Sequence, residues 1–73
     1  MFQVRVTLRG TDRDHVRVSP PMSEQEADQH LATIADLRAT AAVITLPWAN
    51  FQGTDVIAAE KITAARRPRV ASF

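Results

Sequence analysis

Histidines and clustered carboxylates are the first places to look for chemistry in this 73-residue chain. Asp12, Asp14 and His15 stand close together, and carboxylates and imidazole are metal ligands. Three near-adjacent side chains on one turn do not close a coordination shell, and no distant partner is evident, so they read as an ordinary solvated turn. His30 would act as a general base or a pH switch only beside an orienting acid and a reacting group. The sequence names neither, and His30, at the edge of a helix's apolar stripe, reads as a surface or boundary residue. The chain has no cysteine, no tyrosine, two glycines and no glycine-rich phosphate loop, which leaves little from which to build a pocket. A non-enzymatic protein is expected, with no catalytic residue, no metal and no cofactor.

Binding chemistry is better represented. Arg5, Arg9 and Arg17, with His15, fall on one side of a pair of strands if strand alternation holds, with Gln3 and Thr7 between them. Such a face can contact phosphates or enter a groove as a β-ribbon. It also serves as a solvated sheet face on which arginine discourages aggregation. No aromatic accompanies these arginines, because Phe2 is in phase with the valines, so a base-stacking platform is not expected. Arg66, Arg67 and Arg69 form a second basic cluster near the end. Trp48 and Phe51 suit a partner-binding loop, since tryptophan is enriched at binding hot spots. In so small a domain the same two aromatics more often plug the open end of the core.

The elements that must position these residues are uneven in clarity. The plainest is a helix from Ser23 to about Thr40. Ser23 and Glu26 form a capping box that satisfies free N–H groups at the helix start. Pro20 and Pro21 disfavour helix just before it, and Glu24, Glu26 and Asp28 complement the positive end of its dipole. Ala27, Leu31, Ile34, Leu37 and Ala41 make one apolar stripe. Arg38 also projects onto that stripe, so the helix ends near it or the arginine snorkels outward.

Phe2, Val4, Val6 and Leu8 alternate with Gln3, Arg5, Thr7 and Arg9, the period of a strand with one buried face. Gly10 to Asp14 is a turn, and Val16 and Val18 mark a second, shorter strand. Pairing Leu8 with Val16 and Val6 with Val18 keeps the apolar residues on one face, whereas a slip by one residue mixes the faces. After the helix, residues 42–46 suit a buried strand, Pro47 stops it, and Trp48 to Gly53 reads as a loop. In the last third Val56, Ala58, Ile62 and Ala64 share a face if the segment is extended. That favours two strands with a break at Glu60-Lys61 over a single helix capped by Asp55.

These elements make one domain over residues 1–73, with the final residues, from Arg69 on, frayed. Its class is α+β: one amphipathic helix on an antiparallel sheet of about four strands in ββαββ order, or ββαβα if the last third is helical, with the sheet's other face polar and basic. A chain this short buries only about 60% of its unfolded surface, and without a disulfide it needs tight packing or self-association. A homodimer is expected. No apolar run approaches the roughly 20 residues of a membrane span, and no leader is evident, so a cytoplasmic protein is expected. The net charge of +1 demands no anionic partner overall.

The run Ile44-Thr45-Leu46-Pro47-Trp48, then Gly53, Val56-Ile57-Ala58 and Ile62-Thr63-Ala64, resembles short uncharacterised strand–strand–helix–strand–strand proteins of actinobacteria and their phages. The resemblance spans about residues 2–67 and rests on hydrophobic spacing. It implies an accessory protein and carries no catalytic residue to transfer. The expectation is therefore an interaction module that binds another protein, with nucleic-acid binding through the arginines as the alternative.

Overall fold

The computed structural model describes residues 1–64. The order of elements is β1 (Phe2–Leu8), β2 (His15–Val18), α1 (Glu24–Leu37), β3 (Val43–Leu46), β4 (Ala49–Gln52), a 3-10 turn (Gly53–Asp55) and β5 (Val56–Thr63). All pairings are antiparallel. The strands form a three-stranded sheet in the order β2-β1-β5 and a separate β3-β4 hairpin. The protein is α+β with one helix, as expected, and the last third is a strand rather than a helix.

The helix begins where its local chemistry dictates. Ser23 is the N-cap, its hydroxyl accepts from the Glu26 backbone N–H at 3.2 Å, and the Glu26 carboxylate reaches back to the Ser23 N–H. Ala27 and Ile34 are buried, Leu31 and Leu37 pack against the core, and Ala41 lies exposed beyond the helix end. Arg38 is the C-cap, and its guanidinium donates to the Ile57 carbonyl. The core joins Val4 and Val6 of β1, Val56 of β5, and Ile44, Leu46 and Phe51 of the hairpin around Ala27, Ile34 and Met22.

Three features depart from the sequence expectation. First, β1 and β2 pair one residue out of the expected register: Leu8 faces His15, Thr7 faces Val16, Val6 faces Arg17 and Arg5 faces Val18. Facing residues in an antiparallel pair share a face, so Val16 and Val18 turn away from the helix, and both are exposed. The expected register assumed that β2 has a face to bury. β2 is an edge strand with all four residues exposed, so apolar alternation exerts no pull on it. The register is set instead by the residues between β2 and the helix. Ser19 is buried, its N–H donates to the Val4 carbonyl at 2.9 Å, and its hydroxyl accepts from the Val4 N–H at 2.8 Å. Past Pro20 and Pro21, Met22 exchanges two backbone hydrogen bonds with Phe2, each 2.8 Å. These ties fix the chain's alignment along β1.

Second, residues 49–52 are not loop. Pro47 and Trp48 turn the chain, and β4 returns along β3 with Ile44 facing Phe51 and Leu46 facing Ala49. Asn50 and Gln52 carry little strand preference, which hides the alternation of inward Ala49 and Phe51.

Third, β5 runs unbroken through Glu60-Lys61. Consecutive strand residues face opposite sides, so each charge finds a partner on its own face. Glu60 pairs with Arg5, while Lys61 reaches Glu24 at 2.7 Å and Asp28 at 2.9 Å on the helix. The ladder shifts between Thr7, opposite Ala58, and Leu8, opposite Val56. This bulge at Ile57 splits the expected common face: Val56 joins the core, whereas Ala58 and Ile62 turn outward with Thr7 and Gln3.

Candidate functional site

The register decides which residues can act together. The face of the sheet away from the helix carries Gln3, Arg5 and Thr7 from β1, Val16 and Val18 from β2, and Ala58, Glu60 and Ile62 from β5. It is not the polar, basic face expected. Arg5 is committed to an ion pair with Glu60, and both side chains are about half exposed. Around that pair lie Val16, 56% exposed, and Val18, 47% exposed. Val16, Thr7 and Ala58 make one row across the three strands, and Val18 stands beside it in the row of Arg5 and Glu60.

Arg17 and His15 face the other way, on the side of Val6 and Leu8. The expected grouping of Arg5, Arg9, Arg17 and His15 on one face is therefore split. Arg9 follows the end of β1, and its N–H donates to the Asp55 carbonyl at 2.8 Å. Arg9, His15 and Arg17 line a shallow depression at that end of the sheet together with Leu8, Val16 and Asp55. Arg66, Arg67 and Arg69 lie outside the described residues.

The two aromatics also separate. Phe51 is 8% exposed and belongs to the core, so it offers no free anchor to a partner. Trp48 is half-buried at the β3-β4 turn, packed against the core, and its indole N–H donates to His30 Nδ1 at 3.2 Å. The rings lie 6.3 Å apart and tilted by 41°. An Nδ1 that accepts is unprotonated, so the contact selects the imidazole tautomer with its proton on Nε2. Trp48 and His30 thus join the hairpin to the helix.

Lys61 reads from the sequence only as part of a strand break, yet it sits among several partners. Besides Glu24 and Asp28, its ammonium lies 5.3 Å from the centroid of the Phe2 ring, a cation–π distance. Hydrogen bonds to Glu24 and then Asp28 hold its pKa above the usual 10.5. The i,i+4 spacing of Glu24 and Asp28, with one lysine in the chain, was the available signal. Asp12, Asp14 and His15 do not converge: among the described residues no three histidine or carboxylate side chains are placed to hold a metal. No helix among the described residues is long and apolar enough to cross a membrane.

No protein-family model, no curated protein and no solved structure matches the chain. The functional reading therefore rests on the chain's own surface.

Proposed function

We propose that this protein is a non-enzymatic interaction module that binds protein through the uncovered face of its three-stranded sheet, with a second copy of itself as the first partner. The observation that carries the reading is the outward placement of Val16 and Val18 beside Thr7 and Ala58. Two exposed valines on one strand, with Thr7 and Ala58 in the row through Val16, bring apolar side chains together on this face.

The sheet's edges argue for the face rather than for strand addition between copies. In a two-fold antiparallel pairing of β5 with its own copy, the two longest registers centre on Glu60, which sets Glu60 against Glu60, and on Ala59, which sets Lys61 against the bulged Ile57. The same pairing of β2 sets Arg17 against Arg17 or against His15. Like charges directly opposite are destabilising, and charged edge residues are a usual defence against such pairing. At the start of β5 the bulge and the Arg38–Ile57 contact obstruct the edge further.

The face is small. Strands of seven, four and eight residues, about 4.8 Å apart and at about 3.3 Å per residue, give roughly 300 Å² in plan, against about 800 Å² per partner in a standard stable interface. A weak, concentration-dependent dimer is expected. Sedimentation equilibrium from about 10 to 500 μM tests it: the apparent mass should rise with concentration, and the Val16→Thr, Val18→Thr double variant should stay monomeric with an unchanged fold. Both valines are already exposed, so monomer stability should move by only about 0.5 kcal/mol. A wild-type monomer across the whole range refutes self-association. Equal association by the double variant removes this face as the contact.

Nucleic-acid binding through Arg5, Arg9 and Arg17 as one surface loses its support with their division between two faces. Arg9 and Arg17 remain together.

A further inference from the structure

The depression where β1 turns into β2 has a volume of about 490 Å³ and is lined by Leu8, Arg9, His15, Val16, Arg17 and Asp55. Its construction is a consequence of the register. Leu8 and His15 face each other, and Arg17 lies one pair further along the same side of the sheet. β2 is exposed throughout, so its part of that side is open to solvent. Gly10 allows the connecting loop to fold closely: a Cβ there would fall 2.6 Å from the His15 imidazole and closer still to the Arg13 carbonyl oxygen. The Arg9–Asp55 backbone hydrogen bond ties the loop to the corner that opens β5.

We propose that this depression binds a phosphate group through Arg9, His15 and Arg17. Guanidinium groups match phosphate oxygens in geometry and charge. Among the described residues Arg5 and Lys61 are paired with carboxylates, whereas Arg9 and Arg17 form no such pair. Asp55 lies at the same depression without an ion pair to either arginine. One carboxylate against two guanidinium groups leaves the site net positive with histidine counted as neutral. Three donor side chains around one hollow suit the tetrahedral array of oxygens on a phosphate group better than the two coplanar oxygens of a carboxylate. Leu8, on the same side of the sheet as His15 and Arg17, gives the hollow an apolar wall that limits competing hydration. A free phosphate and a nucleic-acid backbone share this chemistry, and the test separates them.

The test uses the full chain labelled with 15N, titrated with sodium phosphate at constant ionic strength, with backbone amide shifts as the readout. Saturable shifts are expected at Arg9, Gly10, His15 and Arg17, with a dissociation constant on the order of 1 mM. Arg9→Gln and Arg17→Gln should each weaken binding roughly tenfold, and Asp55→Asn should strengthen it severalfold. Arg5→Gln removes the same charge from the opposite face and should leave the affinity unchanged. Should one arginine variant fail to fold, the other and Asp55→Asn still decide. A short single-stranded oligodeoxynucleotide forms the second arm. If backbone phosphate is the source, it shifts the same amides at lower concentration, and its affinity falls log-linearly with salt. If free phosphate is the source, only the inorganic ion saturates the site. Shifts that never saturate, or equal weakening by Arg5→Gln and Arg17→Gln, overturn the proposal.

Discussion

Replacing Gly53 with alanine adds one methyl group in the 3-10 turn before β5, against the backbone that ends the helix. Gly53 is buried, and its N–H donates to the Ala42 carbonyl at 2.9 Å. A Cβ there would fall 2.8 Å from the Thr40 carbonyl oxygen and closer still to that of Leu37. The Leu37 oxygen also accepts from the Thr40 N–H and hydroxyl, at 3.0 and 2.8 Å, so it is not free to withdraw. Two effects oppose each other. No glycine in the chain has positive φ, so alanine can adopt the Gly53 backbone, and its smaller unfolded-state entropy stabilises by about 0.4–1 kcal/mol. Overpacking against backbone on two sides costs about 1–3 kcal/mol, and sterics should win by roughly 1–2 kcal/mol. A domain of this size has only about 4–11 kcal/mol of total stability, and each kcal/mol shifts Tm by about 4–8 °C. Thermal melts by circular dichroism should therefore show Tm lower by roughly 5–15 °C, with faster hydrogen exchange at the Thr40 and Gly53 amides. An alanine variant melting at or above the wild type would refute the argument that close backbone approach, rather than turn conformation, requires this glycine.

Two other expectations concern single residues. Ser19→Ala leaves the buried Val4 N–H without its 2.8 Å acceptor, which should cost about 1–3 kcal/mol and expose the Val4 amide to exchange; coincident melts would contradict the role given to Ser19. Lys61 is the chain's single lysine, and there is no cysteine or tyrosine, so between about pH 9 and 12 it is the one side chain that titrates. Its folded pKa lies above the unfolded 10.5, so its contribution is fully present below pH 10.5 and is lost as pH rises through the folded value. Urea melts should show that alkaline loss in the wild type and not in Lys61→Met; parallel losses in the two proteins would remove Lys61 as its cause.

The sequence by itself determined the parts whose causes lie within a few residues. Ser23 and Glu26 need nothing beyond the chain between them to start the helix, and that start stands where the capping box places it. The alternation of β1 needed only a core on one side, and Val4 and Val6 are fully buried. The rest was decided by contacts between distant residues. Apolar alternation fixes a register only when a strand has one face to bury, and β2, at the edge, has none. The Ser19–Val4 and Phe2–Met22 ties therefore chose its alignment, turned Val16 and Val18 outward, and parted Arg17 from Arg5. Glu60-Lys61 reads as a break along the chain. In the sheet the two charges point to opposite faces, where Arg5 stands on one side and Glu24 and Asp28 on the other. Both candidate surfaces arise from that same one-residue choice of register, which no local pattern encodes because its energy comes from partners well separated along the chain.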